Sequence, residues 1–353
     1  MNSINIGIIG IGNCASALIQ GIEYYKNNSN NNGLLHPFLA GFHISDIKIV
    51  AAVDISKKKI SKDIAEAIYE NDLNVIVDIK ENLNIPVVMG TVLDGVIDET
   101  SERINPANQK PINMVDYFKS TGTEIVLCLL PSGADKAVKF YAEEALRAGC
   151  GFINATPTNI ANNEDFAERY KNAGLPLIGD DLQDQFGATI LHKIILLQML
   201  NRGIKIKESY ALDVGGGSES LNTIYRSREV KREIKSNSVA GALNIEAPII
   251  AGTSDWVPFL GNKRNSMLWI VGKGFLGSEV IMDIKIQTED GPNGGSILVD
   301  VIRATKIALN QGLSGPINEI SAYGFKKPPK TFKNPEVAIR NLANFILGMK
   351  SGE

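Results

Sequence analysis

The N-terminal stretch restricts the fold of this chain more than any other part. The apolar run INIGII at 4–9 leads directly into GIGNCA at 10–15, and apolar residues then recur at helical spacing as far as Tyr25. This is the order of a strand, a glycine-rich turn and a helix. A strand that passes through a tight turn into a helix is typical of the units from which parallel sheets are built, so the pattern favours an α/β fold.

The alternation of strands and helices continues through the first half of the chain. Strands are predicted at 4–9, 47–53, 124–130, 151–155 and 175–178. Helices are predicted at 15–25, 57–70, 134–148 and 162–173, a surface loop at 27–33 and an irregular stretch at 86–115. Strands that alternate with helices indicate a parallel, doubly wound sheet.

The second half of the chain has a different pattern. Residues 208–214 and 267–287 show strand-like alternation without intervening helices, with the basic segment 225–235 ahead of the second run. An antiparallel or mixed sheet is therefore expected there. Final helices at 295–308 and 336–347 are predicted to cover the first sheet, which makes the middle of the chain an insertion. The predicted parts are a doubly wound domain at 1–200, an inserted α+β domain at 201–292 and C-terminal helices at 293–353.

Composition argues against several classes of protein. The chain has 36 lysines and arginines against 39 aspartates and glutamates, so its charge gives no argument for a nucleic acid or an acidic membrane as partner. No apolar run reaches the roughly 18 residues of a membrane span, and no secretory signal is visible. Cys14, Cys128 and Cys150 form neither a disulfide framework nor a metal-ligand spacing. We therefore expect a soluble, cytoplasmic protein.

The glycine turn has the spacing of a dinucleotide-binding fingerprint, and it follows a strand and opens a helix as it must in a Rossmann fold. Gly10 permits the tight turn, and Gly12 lets backbone N–H groups approach a pyrophosphate. Ala15 allows the helix and the strand to pack closely. The helix N-terminus, with Asn13 and Cys14, offsets phosphate charge. A glycine-rich turn without a ligand is the alternative.

Further polar residues follow the predicted strands, at the edge where an open sheet binds ligands. Asp54 could accept hydrogen bonds from the adenine ribose and would repel a 2′-phosphate, which favours NAD over NADP. Ser132 could bond the cofactor or belong to a plain turn, and both interpretations stay open. Asn154, Asp180 and Asp181 also follow strands, although the two aspartates could instead cap a helix.

Longer segments carry a more specific signal. They are GIGNCASALIQGIEYY at 10–25, VAAVD at 50–54, TVLDG at 91–95, LPSGADKAVKFYAEEAL at 130–146, GFINATPTNIA at 151–161, PLIGDDLQDQFGATILHK at 176–193, DGPNGGSILVDVIRATKIA at 290–308 and SAYGFKKPP at 321–329. Together these segments resemble the myo-inositol-1-phosphate synthase family, particularly its archaeal and actinobacterial branch. The similarity is collinear over almost the whole chain.

The resemblance implies an NAD-dependent isomerase, an intramolecular lyase, that converts D-glucose 6-phosphate to 1L-myo-inositol 1-phosphate for inositol and phospholipid biosynthesis. Such enzymes oxidise C5 of the open-chain sugar, take a proton from C6, close the carbon ring by an aldol step and reduce the ketone again. Converging lysines hold the phosphate and stabilise the enolate and the aldolate. The resemblance also implies a homotetramer assembled through the inserted catalytic domain, and in some relatives a divalent cation.

The resemblance assigns roles to five residues. Lys231 and Lys235 match a pair of family lysines, and their spacing puts both ammonium groups on one face of a helix. On spacing alone, a solvated basic face is the more ordinary interpretation. Lys326 matches the lysine of a Y-x-x-K-x-P segment, and Asp290 matches an acid that would orient a lysine. Asp181 matches an acid near the nicotinamide ribose and a substrate-contacting lysine.

The chain departs from the family pattern around the substrate rather than the cofactor. A catalytic lysine of the family falls on Arg264 in ungapped register, with Lys263 beside it, and arginine cannot act as a base. Gln-Asp at 183–184 stands where relatives often carry Lys-Ser, and Gly217 and Glu219 where many carry Asn and Asp. The alternatives are therefore a divergent NAD-dependent sugar-phosphate cyclase or dehydrogenase, and a non-catalytic NAD-binding homologue.

No spacing of histidine, cysteine or carboxylate residues predicts a metal site. His36, His43 and His192 are dispersed along the chain. His192 belongs to an apolar helix, so we expect it to be a buried core residue rather than a ligand.

Overall fold

The computed structural model of the chain describes residues 3–26, 28–70, 77–79, 81–96, 98, 104–332 and 334–348. Parts of three predictions lie outside these residues. They are Asn27 of the predicted surface loop, positions 97 and 99–103 of the irregular stretch, and positions 1–2, 71–76, 80, 333 and 349–353 of the predicted doubly wound domain and C-terminal helices.

The strands and helices follow one another in the order expected for an α/β chain. The strands are β1 Ile4–Ile9, β2 Phe38–Leu39, β3 Phe42–His43, β4 Ile47–Asp54, β5 Val87–Met89, β6 Ile125–Cys128, β7 Gly151–Asn154, β8 Pro176–Ile178, β9 Lys205–Gly215, β10 Ile249–Trp256, β11 Lys263–Lys273, β12 Glu279–Glu289 and β13 Gly315–Pro316. The helices are α1 Asn13–Lys26, α2 Ile64–Ala67, α3 Met114–Ser120, α4 Asp135–Ala148, α5 Glu164–Asn172, α6 Ala188–Asn201, α7 Ser218–Asn222, α8 Arg228–Leu243, α9 Asp290–Asn310, α10 Asn318–Gly324 and α11 Pro335–Ile346. No helix of the described residues is both long and apolar enough to span a bilayer.

Seven strands form one parallel sheet in the order β13-β8-β7-β6-β1-β4-β5. β1 reads as an almost continuous apolar run because helices cover both faces of such a sheet. From β1 the strand order runs outward through β4 in one direction and through β6 in the other. This confirms the predicted doubly wound fold, and the reversal places the ligand-binding crevice at the carboxyl ends of β1 and β6.

Four strands form a second sheet in the order β10-β9-β11-β12. β9 and β10 pair in parallel, whereas β11 pairs antiparallel with both β9 and β12, so the prediction of a mixed sheet is confirmed. α6 and α8 cover one face, where Leu196, Ile206 and Val239 belong to one buried cluster. Part of the predicted basic segment, from Arg228, is the start of α8. β10 is missing from the sequence prediction.

After β12 the chain returns to the first sheet through α9, which packs against α1. The approach is close at Gly295, since a Cβ there would lie 3.3 Å from the backbone nitrogen of Leu18. α9 begins at Asp290 rather than near Gly295, because Pro292 lies in the first turn, where no intrahelical N–H is needed. β13 then pairs with β8. The second sheet thus lies between two stretches that build the first, although the boundaries of the three segments stay predictions.

Two predictions in the first half are wrong in detail, while its other predicted strands and helices are confirmed to within a few residues. The helix predicted at 57–70 is reduced to α2 and a following 3-10 turn. Ser61 interrupts it with a φ of +70°, and Asp63 caps α2. The stretch predicted to be irregular, 86–115, contains β5 and the start of α3. A three-residue strand is too short to show a period of two.

Candidate active site

A cavity of about 360 Å³ lies at the carboxyl ends of β1, β4 and β6, and residues of the second sheet line its other side. Residues from both parts of the chain line it. Gly12 and Asp54 come from the first sheet, Lys231 and Arg264 from the second part, and Asp290 and Lys326 from the returning chain. The cavity is therefore built by segments that are distant in sequence.

The glycine turn forms one wall of the cavity. Gly10 has a φ of +87°, and a Cβ there would lie 2.9 Å from the carbonyl oxygen of Leu129. At Gly12 a Cβ would meet nothing within 4 Å, so this residue borders open space where a ligand can approach the backbone. α1 begins at Asn13, and the buried Ala15 packs within the core. Turn, open space and helix N-terminus fit a dinucleotide pyrophosphate.

Asp54 lies at the end of β4, beside the turn. Its Oδ2 accepts the N–H of Ile11 at 2.9 Å, and its Oδ1 accepts the N–H groups of Ile55 and Ser56. The ammonium group of Lys59 lies 3.5 Å from Oδ2. The carboxylate is thus held in place on the cavity wall, at the position predicted to bind the adenine ribose.

The first residues of α1 also contact the second part of the chain. The side-chain nitrogen of Asn13 donates to Oδ1 of Asn262 at 3.1 Å. Burial, together with the nearby carboxylates of Asp184 and Asp290, raises the pKa of the Cys14 thiol to about 12. Cys14 therefore lines the cavity as a neutral thiol.

Ser132 is used by the protein itself. Its backbone N–H donates to Oε2 of Glu219 at 3.1 Å, and its hydroxyl donates to Oε1 of the same carboxylate. Ser132 is therefore bound to Glu219, and its contact with the cofactor stays a prediction. Ser132 joins the loop after β6 to α7.

Asn154 and Asp180 are not among the residues that line the cavity, so the structure does not bring these two predicted cofactor residues to the glycine turn. Oδ1 of Asp180 accepts from the side chain of Asn154 at 2.7 Å. The Asp180 carboxylate also accepts backbone N–H groups of Ile160, Ala161 and Asn162. These bonds occupy the polar atoms of both side chains, in the loops that follow β7 and β8. Asp180 therefore binds the turn that precedes α5 and does not cap that helix, whose N-cap is Asn163.

Asp181 is the centre of a first group of charges. Its Oδ1 lies 2.8 Å from Nζ of Lys231 and 3.8 Å from Nζ of Lys326, and its Oδ2 is buried without a hydrogen-bond partner among the described residues. Burial by itself would raise the pKa of Asp181, but the ammonium groups of Lys231 and Lys326 outweigh it and hold this pKa below its usual range. Glu219 lies 3.3 Å from Nζ of Lys231 on the other side.

Asp213 is the centre of a second group of charges. Its Oδ2 forms an ion pair with Nζ of Lys235 and lies 3.7 Å from NH1 of Arg264. Nε and NH2 of Arg264 donate to Oδ2 of Asp290 at 3.1 and 2.7 Å. Burial would raise the pKa of Asp213, but Lys235 and Arg264 together lower it. Two carboxylates and two cations are therefore paired at this side of the cavity, which Lys235, Arg264 and Asp290 line.

Between the two cations at 263–264, the structure places Arg264 in the cavity, while Lys263 is exposed. Successive side chains of β11 point to opposite faces, so only one of the two can face inward. Lys263 therefore does not line the cavity, and its part in catalysis stays a prediction.

Two residues of the site, Asp213 and Glu219, received no role from the sequence. Asp213 could have been found, because it is a charged residue at an inward position of an apolar strand. Glu219 has no such signal. The lysine expected at 183 is replaced by a buried Gln183, whose Oε1 accepts from Nζ of Lys193 on α6 at 3.0 Å. Burial and the charge of Lys326 lower the pKa of Lys193 to about 7.

The histidines lie outside the cavity. His192 is fully buried, and its Nε2 lies 2.6 Å from the hydroxyl of Ser209. Burial lowers the pKa of His192 to about 4, which confirms the prediction of a core residue. Among the described residues, no three histidine, cysteine, aspartate or glutamate side chains come together in a way that could hold a metal ion.

These features define a class of protein. A Rossmann-type α/β sheet carries its glycine turn at the switch point, and an inserted mixed sheet brings lysine and arginine side chains over that turn. A family profile described as Myo-inositol-1-phosphate synthase matches residues 187–291, which include the whole second sheet.

Similar proteins extend this match to the whole chain. It is 35% identical to an inositol-3-phosphate synthase of Mycolicibacterium smegmatis, over 98% of both chains. It is 34% identical to one of Corynebacterium glutamicum, over 98% of this chain and 99% of that one. A crystal structure of a myo-inositol-1-phosphate synthase-related protein from Thermotoga maritima has the same fold, with a TM-score of 0.79 at 21% identity over 99% and 100% of the two chains. The chain belongs to the myo-inositol-1-phosphate synthase family.

The two buried aspartates predict how acid affects stability. Because Asp181 and Asp213 have folded-state pKa values below their unfolded values, the folded state binds fewer protons than the unfolded state in acid. Their contribution to the free energy of unfolding is present above about pH 4 and is lost as the pH falls through the folded-state values. We expect Asp213→Asn to lower the free energy of unfolding at pH 7 by about 3 kcal/mol, since Lys235 loses its carboxylate. The variant should also lose less stability on acidification, as measured by urea unfolding.

Asp116→Asn is the matched control, because Asp116 is exposed on α3, away from the second sheet. It should unfold like the parent protein at both pH values. A Asp213→Asn variant whose stability falls with acid as steeply as that of the parent would contradict the assignment.

Proposed function

We propose that this protein is an NAD-dependent inositol-phosphate synthase that converts D-glucose 6-phosphate to 1L-myo-inositol 1-phosphate. The observation that carries the proposal is the convergence of Lys231, Lys235, Arg264 and Lys326 on one cavity beside the glycine turn. We further propose that it acts in the cytoplasm, in inositol and phospholipid biosynthesis, as the resemblance implies.

The residues that would hold NAD fit the cofactor. Gly12 leaves open space at the N-terminus of α1, and Asp54 presents a fixed carboxylate at the end of β4. The bound nicotinamide would take a hydride from C5 of the sugar and return it at the end of the reaction. NAD is then regenerated in every turnover, so only a catalytic amount is needed.

Lys231 is suited to stabilise negative charge. Burial would lower its pKa, but the carboxylates of Asp181 and Glu219 raise it above the usual lysine range. The ammonium group therefore keeps its proton and can donate to the oxygen that becomes negative in the enolate or the aldolate. Arg264 is likewise permanently charged, so it serves charge stabilisation or phosphate binding and not proton abstraction.

Lys326 is better suited to accept a proton. Burial lowers its pKa, and although Asp181 and Asp184 oppose this shift, the nearby ammonium groups of Lys231 and Lys235 add to it. A larger fraction of Lys326 is then neutral near pH 7. We propose that Nζ of Lys326 takes the proton from C6 once C5 is a ketone.

No step of the proposed mechanism is assigned to a divalent cation. The donor sets among the described residues do not fit one, since no three candidate ligands come together. The stabilisation of developing negative charge is therefore assigned to lysine and arginine side chains.

A second candidate is a divergent enzyme that acts on another sugar phosphate, with or without the cyclisation step. Asp184 favours it, because this carboxylate lines the cavity at a position where relatives often carry serine. A carboxylate there would repel a phosphate group bound close by.

One assay separates these functions. Purified protein, glucose 6-phosphate and a catalytic amount of NAD should give a cyclic inositol phosphate without accumulation of NADH, because the hydride returns to the product. The product is measured by NMR and NADH by its absorbance.

Other results identify other functions. NADH that accumulates one-for-one with consumed sugar would show a dehydrogenase. A melting temperature that rises with NAD, but not further with any sugar phosphate, would show a non-catalytic NAD-binding protein.

The two lysines of α8 give a second test. We expect Lys231→Ala and Lys235→Ala each to lower kcat about 100- to 1000-fold, the loss typical of a preorganised electrostatic group, with NAD affinity unchanged. Turnover is measured by product formation and NAD affinity by calorimetry.

Arg232→Ala is the control on the same helix, because this half-exposed side chain pairs with Glu229 outside the cavity. It should keep the parent activity. Near-parental turnover of either lysine variant would remove that lysine from the mechanism.

We propose that the protein assembles as a homotetramer through the second sheet. The face of this sheet that α6 and α8 do not cover carries Tyr210, Ile250, Met267 and Ile281, which are 37–58% exposed. A contiguous apolar face of this kind is typical of a surface that another protein covers.

Substitution on this face should change the oligomeric state. We expect Ile281→Lys to lower the mass measured by light scattering, since a buried, unpaired ammonium group disfavours association. Ile339→Lys, at an exposed position of α11, is the control and should leave the mass unchanged. An Ile281→Lys variant with the parent mass would place the contact elsewhere.

A further inference from the structure

Arg226 connects the inserted sheet to two loops of the first sheet. It lies in a π-helical turn, Thr223–Ser227, that joins α7 to α8. Its NH2 group donates to the carbonyl oxygens of Asp94 and Gly133. Asp94 follows β5 and Gly133 follows β6, so a single guanidinium group holds two separate loops.

Gly133 provides the space for this contact. Its φ is +80°, and a Cβ there would lie 2.8 Å from Cβ of Arg226 and 3.0 Å from its Nε. Glycine at 133 therefore has two effects: it permits the positive φ, and it leaves room for the side chain of Arg226. The contact is closely packed, which argues for a fixed arrangement.

Both loops form the rim of the cavity on the cofactor side. Leu93 and Gly95 line the cavity from one loop, and Leu130 and Pro131 from the other. The carboxylate of Asp94 also accepts two backbone N–H groups of α4, at 2.8 and 3.0 Å, so that loop is fixed to the first sheet. Arg226 therefore contacts the cofactor side of the cavity through loops that are themselves well anchored.

On its other side, Arg226 leads into the helix of the candidate lysines. α8 begins two residues later, at Arg228, and carries Lys231 and Lys235. A shift of the two loops would thus be passed to the start of α8 through one residue. Glu219 gives a parallel connection, because it joins Ser132 to Lys231.

We propose that Arg226 is a positioning residue that couples dinucleotide binding at the glycine turn to the placement of the lysines on α8. This inference rests on the proposed function. Coupling of this kind is reciprocal: if the sugar phosphate tightens dinucleotide binding by a given factor, the dinucleotide tightens sugar-phosphate binding by the same factor.

The test uses a pair of ligands that cannot react. NADH cannot accept a hydride, and glucitol 6-phosphate has no aldehyde to condense. The dissociation constant of NADH is measured by its fluorescence, with and without saturating glucitol 6-phosphate. In the parent protein we expect the sugar phosphate to tighten NADH binding about tenfold, within the usual range of such couplings.

Arg226→Met should bring this factor close to one, because the guanidinium that holds both loops is gone. Arg226→Lys should give an intermediate factor, since an ammonium group keeps the charge without the planar fork. Gly133→Ala should reduce the factor from the other side of the contact. Arg228→Met is the matched control, because Arg228 is exposed and donates to the carbonyl of Ser254, and it should keep the parent factor.

The possible failures are distinguishable. A parent protein that does not bind NADH would overturn the proposed function and this inference with it. A parent protein that turns over glucose 6-phosphate but shows no coupling would overturn the inference alone. So would an Arg226→Met variant with the parent factor. If Arg226→Met does not fold, Arg226→Lys and Gly133→Ala decide, and a parental factor in both overturns the inference.

Discussion

Three buried cations of the cavity each lie against a carboxylate: Lys231 against Asp181, Lys235 against Asp213 and Arg264 against Asp290. Moving a charge out of water costs several kcal/mol, so cations can be stored in such a place only with partners close by. Because Lys231 belongs to α8 and Asp181 to the loop after β8, the second sheet cannot leave the first without separating this buried ion pair. The same constraint keeps positive groups ready for an anionic substrate.

The architecture turns this constraint into a site. The doubly wound sheet brings the glycine turn and Asp54 to the switch point, where a dinucleotide can meet backbone N–H groups. The inserted sheet supplies the cations, and contacts from Asn13, Ser132 and Arg226 fix the two parts against each other. The glycine turn and the cations therefore belong to different parts of the chain, and their relative placement depends on these contacts.

Much of this was accessible from the sequence. The glycine turn, the parallel strands and the spacing of Lys231 and Lys235 were predicted, because each depends on residues that are near neighbours along the chain. Other placements depended on the tertiary structure. Asn154 follows a strand as a ligand-binding residue would, yet its side-chain amide bonds backbone atoms of its own loop and the carboxylate of Asp180. Likewise, only the pairing of β11 decides that Arg264, and not Lys263, faces inward.

The sequence by itself determined the fold class, the cofactor edge and the family, since turn geometry, strand periodicity and collinear motifs are all properties of local sequence. The tertiary structure alone decided which charges meet. Asp181 and Lys231 are 50 residues apart, and Asn13 and Asn262 are 249 apart. Contacts of that range depend on how the two sheets pack, and the periodicity of the sequence does not predict them. The charged surroundings that raise the pKa of Lys231 and the burial that lowers the pKa of Lys326 follow from that packing.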